Sequence, residues 1–281
     1  MSLDITPISD ALGAEVRGLD LREPLDGATI SDLVDAWHEH IVLVFRDQDL
    51  DEDAQLRFAR QFGTPGERAR PPERRPEGVD YNAAIILITN VRENGVPIGS
   101  LRDGEMWFHH DMSYTEAPHK CTMLYCMEIP PTGGNTLFAN MYKAYDALDE
   151  ATRDRIQGMR ALHIYDFALT GRVDPAGDID RYKHRIQPIA VTHPVTGRKA
   201  LYVSPLITAR IEDEPADESE RLLDELFRFT ENSELIHEHV WRPGDLVMWD
   251  NWCSCHARTD FPETERRMMR RCTTLGQPLY E

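Results

Sequence analysis

The segment FHHDMSY places a nitrogen donor and a carboxylate two residues apart, at His109 and Asp111. In an extended strand such residues point to the same side. Both can then reach one metal ion while His110 turns away. A third donor must come from elsewhere in the chain. His256 closes the run WDNWCSCH, which follows a strand-like stretch, and is the candidate. Two imidazoles and one carboxylate on one face of an octahedron leave three positions open. That is the pattern of iron(II) oxygenases, which seat cosubstrate and oxygen side by side. A lone His-x-Asp triplet also arises by chance. The same region offers a rival, a zinc–thiolate site drawn from Cys253, Cys255 and His256. Such a site wants four ligands of matching softness, and Cys121, Cys126 and Cys272 supply no CxxC pair.

Strand-like elements must position these residues. Short apolar runs read as strands at Ile41 to Phe45, Ala83 to Thr89, Thr122 to Tyr125, Asn135 to Phe138, Ile189 to Val191, Ala200 to Val203 and Leu246 to Trp249. The opening ISDALGAEVRGLDL suggests a short strand and a turn. Helical spacing appears at Ile30 to His40, with Ser31 as N-cap, at Asp51 to Phe62, and near Met141 to Gly158 and Glu218 to Glu231. Proline, glycine and charge dominate residues 64–80, and glycines interrupt 92–106, so both read as loops. Strands and helices do not alternate, which disfavours a doubly wound parallel sheet. The expectation is a mainly β fold, an antiparallel sandwich or jelly roll with helical insertions, forming one domain over residues 1–281.

Bulk properties narrow the function. Of 281 residues, 41% are hydrophobic, enough for a packed core. The net charge of −18 repels phosphate backbones and anionic lipid, so neither nucleic acid nor membrane is expected as a partner. The N-terminus lacks a basic region followed by an apolar run, and no stretch has the length of a membrane span. Five cysteines, an odd number, fit a reducing cytoplasm better than a disulfide framework.

Several blocks, taken in order, resemble the taurine dioxygenase and 2,4-dichlorophenoxyacetate dioxygenase family of iron(II)/2-oxoglutarate oxygenases. They are LGAEVRGLDL, VFRDQDL, FHHDMSY, PPTGGNTLFANMYKAYDAL, THPVTGRKALYV, GDLVMWDN and the histidine followed by RRMMRR, and they span nearly the whole chain. The resemblance implies a double-stranded β-helix, the cupin-like jelly roll. It implies iron(II) held by His109, Asp111 and His256, with 2-oxoglutarate and oxygen as cosubstrates. By the same resemblance Thr136 and Arg267 bind the far carboxylate of 2-oxoglutarate, and Arg271 lies nearer the iron, where it meets cosubstrate or an acidic substrate group. Arginine suits a carboxylate because its planar fork grips both oxygens. The implied reaction oxidises, most simply hydroxylates, a small acidic substrate and releases succinate and carbon dioxide. Halogenation is disfavoured, because Asp111 takes the position a halide needs. Family members are often dimers or tetramers, so a homodimer or homotetramer is implied without a choice between them.

The chain departs from the taurine enzymes after Phe62, where GTPGERARP stands in place of a sulfonate-binding histidine, and again between Asn90 and Phe108. Taurine is therefore not the expected substrate. Arg68, Arg70, Arg74 and Arg75 read as a solvated loop, with a positively charged lid as the sharper alternative. His110 reads as structural or as a support for the ligands, His119 as a loop residue, His193 as structural, and His237 and His239 as part of an exposed strand. Phe108 reads as packing, and Trp107 as either packing or substrate contact. Two rival functions stay open, a cosubstrate-independent jelly-roll metal enzyme and a non-catalytic small-molecule-binding protein. The Thr136 and Arg267 clamp speaks against the first, and the complete ligand set against the second.

Overall fold

Apolar residues in the strands of this protein face two different cores, which explains their unbroken hydrophobic runs. The computed structural model describes residues 3–67, 82–101, 104–166 and 171–281. Strands β1 to β6 are Asp4–Pro7, Ala14–Arg17, Val42–Phe45, Ile86–Thr89, Arg92–Glu93 and Val96–Pro97. Strands β7 to β12 are Met106–His109, Cys121–Glu128, Thr136–Asn140, Arg160–Tyr165, Lys183–Pro188 and Ala190–Thr192. Strands β13 to β18 are Lys199–Leu201, Thr208–Ile211, Ile236–His239, Leu246–Asp250, Ser254–Arg258 and Met268–Thr274. Among the described residues five α-helices punctuate them: α1 Gly27–His40, α2 Glu52–Ala59, α3 Met141–Asp146, α4 Glu150–Ile156 and α5 Ala216–Thr230.

Two sheets carry the architecture. One has seven strands in the order β1-β2-β3-β16-β8-β18-β4, the other four in the order β15-β9-β17-β7. Apart from the parallel β2–β3 pair, their neighbours run antiparallel. Residues two apart share a face. Leu124 and Cys126 of β8, Val247 and Trp249 of β16 and Met269 of β18 therefore join one core together with Phe138 of the smaller sheet. Cys121, Met123 and Tyr125, Leu246 and Met248, and Cys272 point the other way. They pack under Leu33 and Trp37 of α1 and Leu56 and Phe58 of α2. Two antiparallel sheets face to face with helices laid outside are the jelly roll expected from the sequence.

The element boundaries differ from the sequence reading in instructive places. Helix α1 starts a turn earlier, because Asp26 rather than Ser31 caps it and accepts from the Thr29 amide at 2.7 Å. Ile41 is not yet strand. It sits at φ 70 and donates its amide to Trp37 at 2.7 Å. Asp51 caps α2 rather than opening it. The helical stretch near 141–158 is two helices, because the Asp149 side chain accepts from Thr152 and restarts the chain. Part of the expected loop 92–106 is the β5–β6 hairpin. Strands β10, β11, β14, β17 and β18 had no counterpart in the sequence reading. Most of the expected loop 64–80, including Arg68, Arg70, Arg74 and Arg75, lies outside the described residues. Among the described residues no helix is long and apolar enough to cross a membrane.

Candidate metal and cosubstrate site

The pairing of β7 with β17 sets His109 directly opposite His256. Strand β7 ends at His109, so Asp111 lies in the turn beyond it rather than in the strand. The turn is tight, and the next residue, Met112, adopts φ 61. One ligand atom each from His109, Asp111 and His256 lies within 4.8 Å of the others; Asp111 and His256 are buried and His109 is half-buried. The imidazoles of His109 and His256 stand 4.2 Å apart. His109 Nδ1 faces the Trp107 carbonyl at 2.9 Å. A carbonyl only accepts, so the proton sits on Nδ1, and Nε2 keeps its lone pair toward Asp111 Oδ1, 3.9 Å away. Two nitrogen donors and a carboxylate suit a divalent iron.

Electrostatics hold these groups in the metal-ready protonation state. Burial alone would raise the Asp111 pKa. The Arg271 guanidinium, with the Thr122 hydroxyl donating to the carboxylate, outweighs it and keeps the carboxyl ionised far below its usual range. Burial first, then neighbouring His109, pushes His256 well below its ordinary value, so it is neutral. His110 is buried on the other side of the strand, its Nδ1 3.3 Å from the Asn251 carbonyl and its ring 4.4 Å from Tyr202. It plays the structural part expected of it.

The second cluster surrounds Arg267, which directly precedes β18 and is only 1% exposed. Its Nε donates to the Gly134 carbonyl at 3.1 Å, and its buried Nη1 has no partner. No carboxylate pairs with it among the described residues. Burial, and then the charge of nearby Arg258, lower its pKa to about 9, so it remains a cation at neutral pH. Thr136 on β9 pairs in register with Arg258 on β17. Its Oγ1 accepts from Trp241 Nε1 at 3.0 Å, which leaves the hydroxyl proton to donate elsewhere. A buried, uncompensated cation suits the far end of a dicarboxylate, and Thr136 is linked to it through Arg258, its register partner, whose charge acts on Arg267. Gly133 and Gly134 turn the chain beneath it at φ +74 and +69. Arg271 faces the metal ligands instead, with Nη1 3.4 Å from Asp111 Oδ1 and a buried, unpartnered Nε.

The structure adds residues that sequence reasoning missed. Arg258 stands two residues after His256 on the same strand face, a spacing that could have marked it. Trp241 carried no local signal, because its role depends on β15 lying beside β9. Two other clusters are structural. His193 Nδ1 accepts from the amides of Val195 and Thr196, so Nε2 carries the proton and donates to Asp250 at 3.0 Å. Cys253 joins that pair rather than Cys255 and His256, as the zinc rival would require. His239 is not on an exposed strand as expected. Strand β15 is present, but His239 is 1% exposed and contacts Asp245 at 3.2 Å. Phe108 packs in the core, whereas Trp107 is exposed.

A jelly roll with two histidines on paired strands, a carboxylate in the adjoining turn and a buried, unpaired arginine defines the class of non-haem iron(II) oxygenases that use 2-oxoglutarate and oxygen. Residues 4–273 match the family described as taurine catabolism dioxygenase TauD, TfdA family. The (S)-phenoxypropionate/alpha-ketoglutarate-dioxygenase of Sphingobium herbicidovorans is 35% identical, over 100% of this chain and 97% of that protein. The pentalenolactone F synthase of Streptomyces avermitilis is 32% identical, over 98% of this chain and 94% of that protein. The crystal structure of AAD-2 in complex with Mn(II) and N-oxalylglycine is 30% identical and superposes with a TM-score of 0.80, covering 100% of each chain. The chain therefore belongs to the TauD/TfdA family of iron(II)- and 2-oxoglutarate-dependent dioxygenases.

Proposed function

We propose that His109, Asp111 and His256 hold the iron, that Thr136 and Arg267 bind the far carboxylate of 2-oxoglutarate, and that Arg271 meets the acidic group of a small organic substrate, which is hydroxylated. One observation carries this reading. The Arg267 guanidinium is buried without a counter-charge among the described residues, four residues before Arg271, which reaches Asp111. Neither a cosubstrate-free metal enzyme nor a binding protein needs such a clamp.

Iron(II) with 2-oxoglutarate and oxygen supplies the oxidising power, with succinate and carbon dioxide as co-products. The protein's contribution is placement and exclusion of water. The Trp107 carbonyl fixes the ring of His109 with Nε2 inward. The rings of Trp249 and Phe138 flank His256 at 4.9 and 6.3 Å and keep its surroundings apolar. Arg267 and Thr136 set the distance between the clamped carboxylate and the metal. Arg271, 26% exposed at its side chain, offers a fixed cation on the open side. No side chain is required as an acid or a base. The acidic substrate is favoured by Arg271 and by the phenoxy acid in the name of one relative. We place the enzyme in the cytoplasm, in line with five buried, unpaired thiols, as one functional unit over residues 1–281.

The test is to mix anaerobic protein, iron(II) and 2-oxoglutarate and look for the visible metal-to-ligand charge-transfer band. The band is expected in the native enzyme and absent in His109→Ala. Folded, metal-loaded protein without a band would remove 2-oxoglutarate from the site. With the band in hand, succinate release identifies the substrate among small organic acids.

A further inference from the structure

Asp111 has two oxygens, and the structure treats them differently. Oδ1 faces His109 Nε2 and Arg271. Oδ2 accepts from the Thr122 hydroxyl at 2.7 Å. That hydroxyl is itself the acceptor of the Asn251 Nδ2 amide at 2.9 Å. A threonine hydroxyl has a single proton. With its oxygen facing the Asn251 amide, the proton points at the carboxylate. The chain therefore has a direction, from amide to hydroxyl to carboxylate, and each link strengthens the next.

The partners are rigid. Thr122 and Asn251 are both fully buried. Thr122 sits on β8, between Trp249 of β16 and Thr273 of β18. Asn251 is held at both backbone ends. Its amide donates to the Lys120 carbonyl at 3.0 Å, and its own carbonyl faces His110 Nδ1 at 3.3 Å. The apparently idle His110 thereby supports the turn that aims Asn251.

We infer that Thr122 and Asn251 are positioning residues that hold Asp111 as a one-oxygen metal ligand. A carboxylate free to rotate can bind through both oxygens and occupy an extra coordination position. Engaging Oδ2 keeps Oδ1 as the ligand and leaves three positions for the cosubstrates. The inference rests on the proposed ligand role of Asp111, and the test separates the two.

Mn(II) binding to the apoprotein is measured by the loss of free-ion electron paramagnetic resonance signal, alongside the melting temperature. Partners of metal ligands typically change affinity about 10–100-fold, and Thr122→Val is expected to weaken Mn(II) binding by that order. Thr122→Ser keeps the hydroxyl and is expected to restore binding. Asn251→Ala releases the hydroxyl and is expected to weaken binding independently, so it carries the test if Thr122→Val does not fold. Native Mn(II) affinity in folded Thr122→Val, or in Asn251→Ala, overturns the inference. Asp111→Ala is run in parallel. If it binds Mn(II) normally, the ligand role itself fails. If it alone loses binding, only the positioning role fails.

Discussion

Replacing Arg267 with alanine should separate cosubstrate binding from metal binding. The guanidinium is 1% exposed, tied through Nε to the Gly134 carbonyl, with a buried Nη1 awaiting an acceptor. Removing one partner of a buried, hydrogen-bonded charge pair costs about 3–5 kcal/mol. At 1.4 kcal/mol per factor of ten, the Kd for 2-oxoglutarate should rise by roughly two to three and a half decades. Calorimetric titration of Mn(II)-loaded protein with 2-oxoglutarate reads this directly. The Mn(II) affinity should stay unchanged, because Arg267 is not among the clustered metal donors. The ligand-free protein should melt no lower than the native one, since an uncompensated buried charge opposes folding. The stabilisation that the native protein gains from cosubstrate, about 2.7 kcal/mol at a hundredfold excess over Kd, should vanish. An unchanged Kd for 2-oxoglutarate in a variant that still binds Mn(II) would refute the reasoning and place the dicarboxylate elsewhere.

Gly134→Ala should act on the same contact from below. Its φ of +69 disfavours a side chain, and a Cβ there would stand 3.2 Å from Arg267 Nε. The expected result is about 1–2 kcal/mol of lost stability together with a raised 2-oxoglutarate requirement. Gly18→Ala, also at positive φ but with nothing within 4 Å, should show the stability loss alone, and an unaltered 2-oxoglutarate requirement in Gly134→Ala would count against the clamp. Stability should also fall with acid. Burial pushes His163 down to about 3 and His110 to about 4, and neither His163 nitrogen has a partner. The folded pKa lies below the unfolded value of about 6.5, so the unfolded chain takes up protons first as the pH drops. Stability is then complete above about 6.5 and declines toward the folded values, by up to about 1.4 kcal/mol per pH unit for each histidine. Denaturation by urea at several pH values measures the slope, and His163→Phe should flatten it. A slope that His163→Phe leaves intact would assign the effect to other groups.

The residues proposed for the chemistry are legible in the chain. His109 and Asp111 stand out by spacing, because two residues apart is the strand interval that aims side chains to one side, although Asp111 reaches the site from the turn after β7. Thr136, Arg267 and Arg271 were reached through ordered sequence blocks rather than through local physics. Two strands of the large sheet were legible for another local reason: Val42–Phe45 and Leu246–Asp250 are runs buried on both faces. Strands β17 and β18 were not, because SCHAR and MMRRCTT carry polar residues that become buried only once each strand lies inside its sheet. Helix starts at Asp26 and Asp149 turned on which carboxylate found an amide, and several nearby residues could have served.

Composition, charge, the His-x-Asp spacing and the order of the motifs were enough to set the fold class and the chemistry by sequence alone. Only the tertiary structure decided what surrounds those residues. The register that sets His256 opposite His109 joins positions 147 residues apart, and no local pattern encodes it. The same holds for the uncompensated charge of Arg267 and for the chain from Asn251 through Thr122 to Asp111. Hydrogen bonding and burial act over a few ångströms of space, whatever the separation along the chain.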